Sequence, residues 1–125
     1  MKYLLALYGD ENAQADADSA AVVEPWTEYG RKITSAGVFV AGEALTESST
    51  ATTLRIGAGG EQVVTDGPFA ETKEQLGGFY LLDCKDLDEA IEWAKQLPMT
   101  EGAVEIRPVM DYSQFGYERP GEATQ

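Results

Sequence analysis

The 125-residue sequence contains no histidine and a single cysteine, Cys84. The lack of histidine excludes Ser-His-Asp and Cys-His catalytic arrangements, and it also excludes a histidine-ligated haem. One cysteine cannot form an intrachain disulfide or supply the thiolates of a structural zinc site. We therefore expect no metal site and no cofactor, and we expect Cys84 to be a small buried side chain rather than a nucleophile.

Basic residues are scarce as well. Nine Lys and Arg stand against 22 Asp and Glu, which gives a formal net charge of −13. Nucleic acids and anionic membranes are polyanions, so a protein that binds them needs a basic surface. We expect no direct binding to nucleic acid, and we interpret the acidity mainly as a source of solubility.

Long hydrophobic runs are also absent. The apolar stretch Met1–Tyr8 ends at Gly9-Asp10-Glu11, which makes it too short to span a membrane, and no small-residue cleavage site follows it. We interpret it as the first strand and expect no membrane association. The single cysteine favours a reducing compartment, so the expected location is cytoplasmic.

The rest of the composition is that of one globular domain, because 43% of the residues are hydrophobic. Aliphatic and aromatic runs bounded by turn residues predict four strands: Lys2–Tyr8, Val38–Gly42, Gly78–Asp83 and Ala103–Val109. Two shorter strands, at 52–56 and 61–65, are joined by Gly57–Gly60, which predicts a hairpin. Residues 70–76 are expected to form a polar connection.

Two helices are predicted from residues that recur at helical spacing. The first runs from about Pro25 to Ala36, with a start at Asp18-Ser19 as the alternative. The second follows Asp86, which pairs with Glu89 as a capping box, and continues to residue 97. The resulting order is βαβ, hairpin, βαβ. We therefore predict an α+β fold, a ferredoxin-like βαββαβ sheet with an inserted β-hairpin.

A homodimer is predicted from the two faces of the sheet. Strand 2–8 and strand 79–82 are apolar on both faces, but two helices can cover only one face. A second copy of the same sheet is the simplest cover for the other face. The domain is expected to span residues 1–110, with a tail at 111–125. The tail contains Tyr112, Phe115 and Tyr117, so we expect it to pack on the dimer as far as Tyr117 and to be mobile from Arg119 onward.

The stretch from Thr65 to Tyr80, which contains Asp66-Gly67-Pro68-Phe69, closely resembles the signature of the DGPF domain in the YCII-related family. Further matching segments are Ala36–Val38, Gly42–Leu45, Leu87–Ala94 and Val104–Val109. The resemblance implies a ferredoxin-like subunit of a dimeric α+β barrel, with a pocket between sheet and hairpin. Members are mostly uncharacterised bacterial proteins, and some are encoded beside extracytoplasmic-function sigma factors. Some relatives use a His–Asp pair, which this sequence cannot form.

Asp66 is the leading candidate for a catalytic residue. An aspartate in a sheltered cleft can take up and release a proton near neutral pH, and the Gly-Pro pair that follows holds its backbone. The alternative is that Asp66 only caps its own turn through backbone N–H groups.

Four more residues are candidate ligand-binding residues. Lys73 and Arg107 could hold an anionic group, Glu43 is a second carboxylate, and Phe69 could line a pocket. For each there is an alternative: the charged residues could be simply solvated, and Phe69 could belong to the core. We expect a cavity beside residues 66–69, with Asp66 facing it.

Two functions are compatible with these residues. The first is binding of a small molecule, with cofactor-free proton transfer of a lyase or isomerase type. The second is a non-catalytic regulatory or partner-binding module associated with a sigma factor. A fold alone does not distinguish them.

Overall fold

The computed structural model describes residues 1–13 and 20–116. The strands are β1 (Lys2–Gly9), β2 (Phe39–Ala44), β3 (Thr52–Ile56), β4 (Gln62–Asp66), β5 (Gln75–Asp83) and β6 (Ala103–Pro108). The α-helices are α1 (Ala20–Ser35) and α2 (Leu87–Lys95), and short 3₁₀ helices cover Glu11–Ala13, Ser48–Thr50 and Ser113–Phe115. None of the helices in these ranges is long and apolar enough to cross a membrane.

Four strands form one antiparallel sheet in the order β2-β5-β1-β6. The two central strands, β1 and β5, are therefore not consecutive along the chain, as expected for a ferredoxin-like sheet. Strands β3 and β4 pair only with each other in a second sheet. The predicted α+β fold with an inserted hairpin is confirmed.

Strand β5 begins at Gln75, three residues before the predicted start at Gly78. Gln75 and Leu76 pair with the end of β1, after an irregularity in register at Leu7/Tyr8. The residue at position 78 must be small, because a Cβ there would lie 2.9 Å from the carbonyl oxygen of Glu43. The end of the predicted polar connection, residues 75 and 76, is thus part of the strand. Pairing with β1 extends β5 beyond the apolar run that marks it in the sequence.

Helix α1 also begins earlier than Pro25, which lies inside it. Proline has no N–H to donate to the preceding turn, so it is an unfavourable interior residue. The alternative start at Asp18-Ser19 lies outside the described residues. Helix α2 begins as predicted: the carboxylate of Asp86 accepts a hydrogen bond from the N–H of Glu89 at 2.9 Å, and the carboxylate of Glu89 accepts one from the N–H of Lys85 at 2.7 Å.

Both helices contribute to a core on one face of the sheet. The alternate residues Tyr3, Leu5 and Leu7 of β1 are buried there, together with Ile33 of α1 and Leu82 of β5. The other face carries the remaining apolar residues of the central strands. Its main side chains are half-buried and lie outside that core: Leu4, Phe79 and Leu81. The two-sided apolar pattern is therefore real in the folded chain.

The tail is exposed in the single chain as far as it is described. Phe115 is 72% exposed and Tyr112 is 39% exposed. Tyr117 and Arg119 lie outside the described residues. Packing of the tail on a second copy remains a prediction.

Candidate functional site

Asp66 is the last residue of β4, where it pairs with Thr52 at the base of the hairpin. Gly67 follows with φ +106°, a conformation that strongly favours glycine. Two hydrogen bonds hold this glycine to the neighbouring strand: its N–H donates to the carbonyl of Ala51 at 2.7 Å, and its carbonyl accepts from Oγ1 of Thr53 at 2.8 Å. The backbone that presents Asp66 is therefore fixed by the start of β3.

The carboxylate of Asp66 is exposed and accepts no hydrogen bond from any other described residue. The expected alternative, in which Asp66 caps its own turn, thus has no hydrogen bond to support it in this part of the chain. A single chain does not shelter this carboxylate from water. It is available to a ligand or to a second protein chain.

Phe69 lies on the outside of the molecule, where it is 72% exposed. Its ring is nevertheless held in place, because the guanidinium carbon of Arg55 lies 5.0 Å from the ring centroid, within the range of a cation–π contact. The same arginine donates from Nη2 to the carbonyl of Phe69 at 3.2 Å. The alternative that Phe69 belongs to the core is wrong.

Sequence reasoning did not include Arg55 among the site residues. The hairpin register pairs Arg55 with Val63, and only the path of the chain after the turn brings Phe69 to it. In the sequence, Arg55 is only a polar residue that alternates with apolar residues on a short strand. A simply solvated arginine would give the same pattern.

Lys73 lies in the loop between the turn and β5. The side-chain amide of Gln75 donates to the carbonyls of Ala70 and Thr72 at 3.2 and 3.0 Å, which shapes this loop. Lys73 lines an open depression of about 780 Å³. The other lining residues are Tyr8, Asp10, Thr72, Glu74, Glu101, Gly102 and Ala103. Asp66 is not one of them. Within one chain, the acids that share the depression with Lys73 are Asp10, Glu74 and Glu101.

Glu43 and Arg107 lie on the face of the sheet that is opposite the helices. Glu43 pairs with Phe79, and Arg107 pairs with Leu4, so they stand on the two edge strands. Three inter-strand spacings separate these strands, or roughly 14 Å. Arg107 forms an exposed ion pair with Glu105, with Nε 3.2 Å from Oε1. Within one chain, the candidate residues thus occupy three places: the hairpin turn, the depression and the open sheet face.

Comparison with known proteins agrees with the family resemblance of the sequence. The sequence model of a family described as the YCII-related domain matches residues 1–113. The chain belongs to the YCII-related family. It is also 41% identical to an uncharacterized protein of Rhizobium meliloti (strain 1021), over 129 aligned positions that cover 98% of each chain. The resemblance identified from the DGPF stretch is confirmed.

This YCII-related domain has few groups for acid–base chemistry. Cys84 is buried, as predicted, with 1% of its surface exposed, and burial raises the pKa of its thiol to about 11. A thiol with a raised pKa is a poor nucleophile at neutral pH. Among residues 1–13 and 20–116, no cluster of acids and thiols is arranged to hold a metal ion.

Proposed function

We propose that this YCII-related protein binds a small organic molecule at the DGPF turn and that Asp66 exchanges a proton with it without a cofactor. The observation that supports this proposal best is that one turn carries, three residues apart, an exposed aromatic ring restrained by Arg55 and a carboxylate that accepts no hydrogen bond from the described residues. An exposed ring costs little to order on binding when Arg55 already restrains it. Phe69 would contact an apolar part of the ligand, and Asp66 a hydroxyl, an amine or an acidic C–H.

The chemistry expected of Asp66 is proton transfer. As a carboxylate it would remove a proton from the ligand, and as the resulting acid it would return that proton to another atom of the ligand or to a leaving group. Return of the proton to another atom of the ligand is an isomerisation. Its transfer to a leaving group, which then departs, is an elimination. Neither consumes an oxidant or a reductant.

A second copy of the chain completes the proposed site. Proton transfer by an aspartate is favoured where water is excluded, and one chain leaves Asp66 exposed. The apolar sheet face offers a surface on which two copies can associate, and Glu43 and Arg107 lie on that face. We propose that dimerisation brings shelter to the DGPF turn.

The test is a thermal-shift screen of the purified protein against a library of small organic molecules, with hits verified by native mass spectrometry. Replacing Asp66 by Asn keeps the shape and removes the charge. We expect Asp66→Asn to abolish the ligand-induced shift while leaving the melting temperature of the free protein nearly unchanged. Asp88→Asn, the same change on the exposed side of α2, is the control and should bind like the wild type. Undiminished binding by Asp66→Asn would refute the role of this carboxylate.

A second candidate function is a regulatory module that binds a protein partner such as a sigma factor. It is supported by one face of the hairpin, on which three apolar side chains are more than half exposed: Leu54, Ile56 and Val64. Exposed apolar clusters are common at protein interfaces. Ile56→Lys, at the end of the hairpin remote from Asp66, should abolish capture of a partner by the purified protein but leave the binding of any small-molecule hit unchanged. Loss of small-molecule binding by that variant would contradict this separation.

A further inference from the structure

A groove separates helix α1 from the edge strand β2, on the helical side of the sheet. It has a volume of about 470 Å³, within the range of small-molecule sites. Its lining residues are Thr27, Gly30, Arg31, Ile33, Thr34, Ser35, Phe39 and Tyr80. None of them belongs to the DGPF turn, so this groove is separate from the site proposed above.

Gly30 leaves space in the wall of this groove. It lies in the interior of α1, where glycine weakens a helix relative to alanine. A Cβ built at this position meets no atom within 4 Å, so packing inside the chain does not require a glycine there. The space above Gly30 is open to a ligand.

The opposite wall is formed by two aromatic residues. The register between β2 and β5 shifts between Phe39 and Ala41, and such a bulge re-aims the side chains beside it. Phe39 is 43% exposed. Tyr80 is fixed from two sides: its ring packs edge-on against Tyr29 at 5.3 Å, and it covers Gly42, where a Cβ would lie 2.7 Å from its Cδ1.

The polar groups of the groove have a distinct character. The hydroxyl of Tyr80 makes no hydrogen bond to any other described residue, and burial raises its pKa, so it stays a donor. Arg31 is the one charged residue in the lining, in a chain with 22 acids. Its ion pair with Glu28, at 3.3 Å, is exposed on both sides, and such pairs are weak enough to exchange.

We infer that the groove between α1 and β2 is a binding site for a small aromatic carboxylate. The aromatic ring would lie over Gly30, against the rings of Phe39 and Tyr80. The carboxylate would accept hydrogen bonds from Arg31 and from the hydroxyl of Tyr80. Among the polar groups of the groove, the guanidinium of Arg31 is the best partner for a carboxylate, because it can donate two parallel hydrogen bonds to it.

Titration of the ¹⁵N-labelled protein with benzoate tests the site. Saturable shifts are expected at the amides of residues 27–35, Phe39 and Tyr80. Gly30→Leu should fill the groove and abolish these shifts, whereas Gly30→Ala should keep most of the affinity and raise the melting temperature. Arg31→Gln should weaken benzoate binding about tenfold and leave the binding of benzyl alcohol, which has no charge, nearly unchanged.

The matched control for Arg31 is Lys95→Gln, because Lys95 forms the same kind of exposed pair, with Glu92 at 3.3 Å and three residues away. It should bind benzoate like the wild type. The inference fails if benzoate produces no saturable shifts at the groove, or if Gly30→Leu binds as well as the wild type. It also fails if Arg31→Gln and Lys95→Gln weaken binding equally. If Gly30→Leu does not fold, the comparison of Arg31→Gln with Lys95→Gln decides alone.

Discussion

The hydroxyl of Tyr29 donates a hydrogen bond of 2.9 Å to the backbone carbonyl of Trp93. This bond joins α1 to α2 across the buried face of the sheet. Burial raises the pKa of Tyr29 above its ordinary value, with a smaller contribution from Tyr80. The hydroxyl therefore remains a donor at every pH at which the protein is studied in practice.

Replacing Tyr29 by Phe removes the hydroxyl, so the Trp93 carbonyl loses its hydrogen bond from α1. We expect the free energy of unfolding to fall by about 1–2 kcal/mol, measured by urea denaturation at one fixed protein concentration. Tyr3→Phe is the control, because the hydroxyl of Tyr3 donates only to the sulfur of Met1, at 3.3 Å. Sulfur is a weak acceptor, so that variant should lose less than about 0.5 kcal/mol. Equal losses would mean that the bond between the helices contributes nothing special.

The buried thiol of Cys84 predicts a loss of stability at alkaline pH. Its pKa is about 11 in the folded chain, against 9.0 for a free thiol, mainly because of burial. The unfolded chain therefore releases this proton at lower pH than the folded chain does. The contribution is fully present below pH 9 and is lost as the pH rises from 9 through 11.

Cys84→Ala isolates this effect from the titration of the tyrosines. Between pH 9 and 11 the unfolding free energy of the wild type should fall more steeply than that of the variant, as measured by urea denaturation at several pH values. Below pH 8 the difference between the two proteins should be constant. Parallel curves across the alkaline range would show that burial does not shift this thiol.

Leu81 tests the proposed homodimer, because it lies on the open face of the sheet, beside Leu4. A stable interface there should bury at least about 1,000 Å² in total. Light scattering at micromolar concentration should report twice the 13.5 kDa chain mass, and Leu81→Glu should reduce it to the monomer or unfold the protein. Leu87→Glu, at a 47% exposed position on α2, should stay dimeric. A monomeric wild type would refute the dimer.

Local pattern determined much of this protein. The apolar run of β1, the cap at Asp86 and the glycine-rich link at residues 57–60 each depend on neighbouring residues, and each predicted element is present. The family was also accessible from sequence, because the run from Thr65 to Tyr80 is long enough to be specific. These features need no knowledge of distant contacts.

Only the tertiary structure decided how the candidate residues are grouped. The strand order places Glu43 and Arg107 on opposite edges, and the chain path after the turn sets Phe69 on Arg55. The early start of β5 and the groove beside Gly30 likewise result from contacts between residues far apart in sequence. A hydrophobic period reports which face of one element is buried. It carries no information about which element packs against that face. The packing of one element against another determines which side chains meet.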